Sequence, residues 1–512
     1  MLGTTTRAAA ARNIWQSSCA AAAARSACSL PSILLARAAR PPPRHTAASR
    51  RSLSALPSLS TSPPHHHHSN SNSNNRSSSN PTTSADPLAF ADAKAHPGTK
   101  AHITRDRNYL LQVYPRPDVI FTHGDGAYLY DQAGRRFLDM TAGIAVNALG
   151  HGDEQIRKVV ADQVGKLVHL SNVYHNEHAG PFAEAIVNAL PAGCKGGLQP
   201  KDAKVFFCNS GTEANEAALK FGRKIGRAID AQKTTVVSFS NAFHGRSMGA
   251  LSATPNVKYQ APFAPLVPGF VNAPYNDAAR AREVIDENVC AVIVEPVQGE
   301  GGIYTASKEF LEAVRQRCGE VGAVLIFDEI QCGLGRTGTL FAYEQYGISP
   351  DILTLAKPLA NGLPIGAVIL SPTVASHIKP GDHGTTFGGS PLATRVGHHV
   401  LTRINDPAFL SHVSTVGAHL RHKCEELMRG TPLVSQVRSS GLMVGLQLRQ
   451  GVDPAMFVDL CRELGVLVLT AGNNTVRLVP PLILTEQQAD AAVEVFEEVI
   501  GDMESIIAAG KA

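Results

Sequence analysis

Four short runs of unbroken apolar character in the middle of the chain constrain its fold more than any other feature: KVFFC (204–208), CAVIVE (290–295), AVLIFDE (323–329) and DILTLAK (351–357). A strand with one face in water alternates apolar and polar residues, whereas a strand buried on both faces does not. The runs therefore imply a mostly parallel sheet covered by helices. Helix-patterned stretches such as EANEAALKFGRKI (213–225) and SKEFLEAVRQRC (307–318) stand between them. Upstream, FTHGDGAYLYDQAGRRFLDM (121–140) alternates and turns at Gly124 to Gly126 and at Gly134, which predicts a small antiparallel ribbon. From about Ala418 the pattern gives a helix, the strand-like LMVGLQL (442–448), another helix, VLVLT (466–470), TVRLVP (475–480) and a last helix over 486–500. The expected fold class is α/β. Its expected parts are a large domain over 166–417, a small domain over 418–512 and an N-terminal segment over 96–165 that joins the small domain, with 1–95 outside the folded body.

Ligands of open α/β sheets sit beyond the carboxyl ends of the strands, so the residue following each run is the one to inspect. KVFFC leads into NSGTEAN, where Ser210, Gly211 and Thr212 open a helix. Its free N–H groups and positive dipole end suit a phosphate, and a plain Ser/Thr helix cap explains the same residues equally well. CAVIV ends at Glu295 and AVLIF at Asp328 and Glu329, so two strands bring carboxylates to one rim. An unpaired carboxylate there is costly, and DILTLA supplies a cation, Lys357, at its own end. Singly, each residue is an ordinary surface or capping group. Together, a phosphate cradle, an imine-forming lysine and an aspartate able to pair with a protonated ring nitrogen are what pyridoxal phosphate requires.

VFFCNSGTEANEAAL, NAFHGR, IVEPVQGEGG, IFDEIQCGLGRTG, LAKPLANGLPIGA and HGTTFGGSPLA resemble, in order and spacing, the class III aminotransferases of fold type I, over about Asn108 to Glu497. The resemblance implies a large domain with a mostly parallel sheet flanked by helices, and a smaller α+β domain built from both chain ends. It implies that Lys357 carries pyridoxal 5′-phosphate as a Schiff base and then acts as the base that moves a proton. Asp328 would keep the pyridine nitrogen protonated, Gln331 would contact the ring hydroxyl, Phe243 would stack on the ring, and Glu295 would belong to the same cofactor site. Ser210, Gly211 and Thr212 would bind phosphate from one subunit and Thr386 from the other, in a homodimer with shared sites.

Such an enzyme meets two substrates in turn, and the resemblance implies two carboxylate anchors. Arg246 with Thr385 would take the carboxylate remote from the reacting carbon. Arg477 would take the one beside it, and Glu300 would pair with Arg477 when no such carboxylate is bound. TAGIAVNALGH and NAFHGR point within the family to members acting on N2-acetyl-ornithine with 2-oxoglutarate, in arginine biosynthesis; ornithine or 4-aminobutyrate is the alternative amine. The chain departs from the commonest pattern at GDEQI, where Asp153 can still cap a helix, and at LAKPLANG, which replaces a glycine-rich run and stiffens the chain beside Lys357.

The formal net charge of +4 divides unevenly: residues 1–85 hold nine arginines and no lysine or acid, which leaves −5 for the remainder. The basic excess lies in a tail, so nucleic-acid binding gains no support. Arg7, Arg12, Arg25 and Arg37 spaced through Ala and Ser suit a mitochondrial presequence directing the protein to the matrix, with a plastid as the lesser option and plain disorder as the bland account. His65 to His68 fall in a low-complexity spacer, and no metal site is expected. Of nine cysteines, Cys19 and Cys28 fall in the presequence-like tail and the other seven, scattered without a CxxC pair, suit reduced core residues, and no apolar run is long enough to span a bilayer. GLGRTG (333–338) matches a dinucleotide-binding pattern literally but does not emerge from its strand as that motif requires. A racemase or decarboxylase on the same scaffold would not need two carboxylate anchors, and a decayed binding protein would have little reason to keep Lys357, Asp328 and both arginines.

Overall fold

The computed structural model describes residues 98–472 and 474–510, all within one compact unit. The expected presequence and spacer, with His65 to His68, Cys19 and Cys28, lie outside the described residues. The ribbon follows a helix over Thr99–Tyr109: β1 (Phe121–Asp125), β2 (Tyr128–Asp131) and β3 (Arg136–Asp139) pair antiparallel in sequence order. Its turns fall at Gly126 and Gly134, both at positive φ as tight reversals require. Helix α1 (Glu154–Val164) follows, and Asp153 caps it by accepting the N–H of Ile156 at 2.9 Å.

The central sheet contains β4 (Lys204–Cys208), β5 (Thr235–Phe239), β6 (Phe270–Ala273), β7 (Val289–Val294), β8 (Val324–Asp328), β9 (Ile352–Leu355) and β10 (Gly366–Leu370), in the order β4-β10-β9-β8-β7-β5-β6. All neighbouring pairs from β9 to β6 are parallel, and β10 runs antiparallel to both β9 and β4. Every residue of β7, β8 and β9 is buried, as their unbroken apolar runs require. Successive side chains divide between two cores. Ile293 and Ile326 pack with Ala217 and Phe221 of α2 (Gly211–Ile229), while Val292, Leu325 and Phe327 pack with Phe310 and Val314 of α3 (Lys308–Val321). Each such side chain contributes about 1.5–3 kcal/mol through the apolar surface it removes from water. Helix α2 approaches closely because it presents Gly222 and Gly226, where an added Cβ would strike Ala291 and Cys290.

Three features differ from the sequence expectation. KVFFC is an edge strand with Lys204 exposed and Val205 and Phe206 half-buried, separated from DILTL by β10. The helix expected from Ala418 is α4 (Pro407–Gly430), which starts earlier because Asp406 accepts the N–H groups of Ala408 and Phe409 and Pro407 fits the first helical position. VLVLT is two strands in two sheets.

The C-terminal sheet has the order β11-β12-β15-β14, all antiparallel, from β11 (Val434–Ser440), β12 (Met443–Leu448), β14 (Leu469–Ala471) and β15 (Thr475–Leu478). The other half of VLVLT, β13 (Val466–Leu467), pairs parallel with β3 of the ribbon, so one sheet joins residues from both ends of the chain. The last helix, α5 (Glu486–Ala508), starts with a capping box between Thr485 and Gln488. All seven described cysteines are buried and free. Among the described residues no helix is long and apolar enough to cross a membrane, and no cluster of His, Cys, Asp or Glu is arranged to hold a metal ion.

Candidate functional site

Strands β4, β5, β7, β8 and β9 share one direction, so their carboxyl ends meet on one rim, and a cavity of about 460 Å³ opens there. Ser210, Gly211, Thr212, Phe243, Arg246, Glu295, Asp328, Gln331 and Lys357 all line it. These nine were read from separate segments of sequence, and the parallel sheet brings them together.

Lys357 follows β9 by two residues and starts a short 3-10 turn ending at Ala360. Burial, then the nearby Arg477 guanidinium, pulls its ammonium down to about 8, against the opposing pull of Glu300, Asp328 and Glu295. The LAKPLANG departure is fastened in place: Asn361, at φ 45°, accepts the N–H of Leu149 at 2.8 Å and donates to the carbonyl of Gly150 at 3.1 Å. That contact ties the lysine turn to the TAGIAVNALGH segment, whose Val146 forms part of the cavity wall.

The expected pairing of Lys357 with the rim carboxylates is not formed, because each finds donors nearer by. Asp328 Oδ2 receives Asn215 Nδ2 at 2.7 Å and His244 Nδ1 at 2.7 Å, and its Oδ1 receives the N–H of Ile330 at 3.1 Å. Glu295 accepts the N–H of Phe243 at 2.9 Å and that of Gly299 at 3.1 Å. Burial, and then Asp328, raise its pKa above the usual carboxylate range, and the two backbone N–H donors offset part of that rise. Glu329 leaves the cavity altogether: fully buried, it accepts the N–H groups of Ala342 and Tyr343, both at 2.7 Å, and anchors the following loop.

Asn215 and His244 are the site residues that the sequence did not expose. Both lie inside quoted motifs, GTEAN and NAFHGR, but a lone Asn on a helix and a lone His after a strand carry no signal of a shared partner. Asn215 is fully buried and also donates to the carbonyl of His244 at 2.8 Å and accepts from Thr354 Oγ1 at 2.8 Å. These bonds hold Asp328 rigidly at the cavity floor.

The capping account of Ser210 is the one the geometry displays. Its Oγ caps α2 through the N–H of Glu213 at 3.3 Å, and Gly211 and Thr212 present the first turn to the cavity, where helix N–H groups have no intrahelical acceptor. Thr212 Oγ1 lies 2.8 Å from Ser247 Oγ, which donates to Glu216 at 2.6 Å. Gly245, at φ 136°, passes so close to Thr212 that a Cβ would collide with its hydroxyl.

Glu300 and Arg477 are not among the residues that line the cavity; Arg477 is buried on β15. Its guanidinium donates to Gln331 Oε1 at 3.1 Å and pairs with Glu300 at 2.9 Å. The Arg246 guanidinium carbon lies over the Tyr259 ring, 3.6 Å from its centroid, and 5.8 Å from that of Phe243. Thr385 and Thr386 do not reach this cavity within the one chain. Thr385 accepts from Asn209 Nδ2 at 3.1 Å and lines a separate 230 Å³ pocket with Thr212 and Ser247, and Thr386 is exposed.

The arrangement fits a phosphorylated pyridine aldehyde on its own chemistry. A helix N-terminus with hydroxyls stands at one end, a rigid carboxylate acceptor at the floor, an aromatic ring on one wall, and an amine of depressed basicity within the same space.

The family described as "Aminotransferase class-III" matches residues 112–500. The chain is 51% identical over 396 residues to the mitochondrial acetylornithine aminotransferase of Yarrowia lipolytica, covering 77% of this chain and 94% of that one. The crystal structure of ornithine aminotransferase from Toxoplasma gondii superposes with a TM-score of 0.74 at 30% identity, over 80% of this chain and 96% of that one. That of N-acetylornithine aminotransferase from Stenotrophomonas maltophilia gives 0.66 at 34%, over 80% and 100%.

Proposed function

This chain belongs to the class-III aminotransferases, and from that premise we propose that it transfers the terminal amino group of N2-acetyl-L-ornithine to 2-oxoglutarate, giving N-acetyl-L-glutamate 5-semialdehyde and L-glutamate in arginine biosynthesis. It is an enzyme whose cofactor is pyridoxal 5′-phosphate. When bound, that group supplies a sink for the electrons left behind as a proton leaves the amine-bearing carbon of the substrate. The remaining work falls to side chains of this protein. Lys357 Nζ would hold the cofactor through its aldehyde carbon and, as a free amine, would take the proton from the substrate carbon. Asp328, fixed by Asn215 and His244, would accept the ring N–H, and Phe243 and Gln331 would hold the ring and its hydroxyl. Ser210, Gly211 and Thr212 bind the phosphate.

The observation that carries the two-substrate scheme is the 2.9 Å pair between Arg477 and Glu300, close to Lys357. Glutamate reacts beside a carboxylate and needs the Arg477 fork; acetylornithine reacts at its far end and does not. Glu300 occupies the fork in the second case, and Arg246 takes the distant carboxylate in both.

A homodimer with shared sites belongs to the proposal, with Thr385 and Thr386 acting on the neighbouring subunit's cavity. In support, Phe387 is 64% exposed and Val173 78%, and Asn172 binds the carbonyls of Thr385 and Gly388, so the threonine loop is firmly held while presenting apolar surface. Placement in the mitochondrial matrix follows the arginine-rich N-terminus and the mitochondrial relatives. The division into 96–165, 166–417 and 418–512 is proposed likewise, and the helix Pro407–Gly430 runs across its second boundary.

Ornithine is the second candidate amine, favoured by the structural match to ornithine aminotransferase. The purified holoenzyme assayed with acetylornithine, ornithine and 4-aminobutyrate, each with 2-oxoglutarate, decides between them. The highest kcat/KM is expected with acetylornithine, and a preference for either other amine overturns the assignment.

A further inference from the structure

The turn that carries Glu300 is strained and held from outside. Gly302 lies at φ 118° and the β-branched, fully buried Ile303 at φ 59°, a conformation that persists only where neighbours impose it. Three contacts do so. Glu295 accepts the N–H of Gly299, the N–H of Gly472 donates to the carbonyl of Glu300 at 2.7 Å, and Arg438 Nε donates to the carbonyl of Gly302 at 2.7 Å.

Arg438 differs from the other two because its second arm reaches the strand of the ion-pair partner. Its Nη2 donates to Thr475 Oγ1 at 3.0 Å, two residues before Arg477 on β15, and to Gln447 Oε1 on the adjoining strand at 3.0 Å. The planar guanidinium lies 4.2 Å from the centroid of Tyr304, the residue that ends the turn. One side chain therefore fixes the turn bearing Glu300 against the strand bearing Arg477. A fork with donors on two edges can do this; a point-like ammonium cannot.

We propose that Arg438 is a positioning residue that sets the enzyme's preference between its two amino donors, by keeping Glu300 in register with Arg477. This rests on the two-substrate scheme above. If the register loosens, Glu300 competes less well for Arg477. A carboxylate beside the reacting carbon then gains access, and a substrate that relies on the closed pair loses.

The test uses the holoenzyme and the variants Arg438→Gln and Arg438→Lys. Each half-reaction is followed separately by single-turnover spectroscopy, and the Kd of glutarate, a dicarboxylate that cannot react, is measured by calorimetry. For Arg438→Gln the ratio of kcat/KM for glutamate to that for acetylornithine should rise on the order of tenfold, the scale of one partly buried ion pair, with tighter glutarate binding. Arg438→Lys should shift the ratio in the same direction. An equal loss in both half-reactions, or an unchanged ratio and glutarate Kd, overturns the proposal, since a merely structural arginine would act on both donors alike. Glu300→Gln separates the two levels. If it leaves the ratio unchanged, the two-substrate scheme itself fails; if it shifts the ratio while neither Arg438 variant does, only the role of Arg438 fails. Should Arg438→Gln not fold, Arg438→Lys and Thr475→Val decide by the same criterion.

Discussion

Asn215→Ala removes the residue that ties the floor of the cavity together. The change deletes one hydrogen bond to a carboxylate, Asp328, at 2.7 Å, of about 1.5–3 kcal/mol, and two neutral ones at 2.8 Å, to the His244 carbonyl and from Thr354, of about 1 kcal/mol each. A water entering the small polar void would recover part of this, leaving a loss of about 3 kcal/mol. Urea unfolding of the holoenzyme reads it, at one protein concentration because any subunit association moves the midpoint. Asn215→Asp sharpens the test. It sets a second carboxylate against Asp328, and the pair can share one proton but cannot comfortably lose it. The shared proton raises the folded-state pKa above its unfolded value of about 3.9, so the associated stability is present at low pH and fades as pH rises through the folded value. The deficit of Asn215→Asp should therefore grow from pH 5 to pH 8, while that of Asn215→Ala stays level. An alanine variant within about 1 kcal/mol of wild type, or an aspartate variant without that trend, would refute the role assigned to the network.

Lys357→Ala should abolish the near-visible absorbance of the holoenzyme and reduce turnover by about a thousandfold or more. Since only the neutral amine attaches the cofactor and Lys357 sits at about 8, the reconstitution rate of apoenzyme should climb about tenfold per pH unit below that value and level above it. A rate still climbing about tenfold per pH unit beyond pH 9 contradicts the depressed basicity. Arg477→Lys keeps the charge but loses the fork, so KM for 2-oxoglutarate should rise about 10–100-fold while the acetylornithine half-reaction changes little. Equal losses in both would count against a dedicated anchor. Gly245→Ala forces a Cβ onto Thr212 at a φ that alanine resists, and should cost about 2–4 kcal/mol in a thermal melt together with weaker cofactor retention; unchanged retention would detach Thr212 from the phosphate.

The parts of this molecule legible in its sequence are those governed by local rules. Unbroken apolar runs gave β7, β8 and β9, since burial on both faces leaves a one-dimensional trace, and the residues closing those runs had to share a rim once the strands were parallel. The order of strands was not legible. Nothing in GAVIL (366–370) announces that it inserts antiparallel between β9 and β4, because pairing partners far apart in sequence are chosen by the whole sheet. The break of VLVLT at Val468 is of the same kind: five β-prone residues read as one strand, and only the ribbon on one side and the C-terminal sheet on the other pull them apart. Charge pairing failed for a related reason. The rim carboxylates seemed to need Lys357, but backbone N–H groups, an amide and an imidazole reach them first, and such donors cannot be counted until the backbone is placed. Among the described residues Lys357 thereby has no ion pair, which suits an amine that must react.

Exposure decides which member of the Arg477–Glu300 pair can move. The Arg477 side chain is 3% exposed and is also held by Gln331, whereas Glu300 is 32% exposed. Sending the arginine away would pull a buried, hydrogen-bonded cation through the packed C-terminal sheet; turning the glutamate outward returns a half-wet carboxylate to water at little cost. Without a replacement, however, its departure leaves a buried guanidinium unpaired, at about 3–5 kcal/mol. Glu300 should therefore leave only as an incoming carboxylate arrives, and the exchange of one carboxylate for another keeps the charge of the cavity constant. In the proposed scheme this lets a single cavity accept a monocarboxylate at one moment and a dicarboxylate at the next, with one glutamate side chain rotating and no movement of the sheet. The rotation has to start from a fixed position to compete reproducibly with substrate, which is why the strained turn beneath Glu300 is clamped at the carbonyls of Glu300 and Gly302.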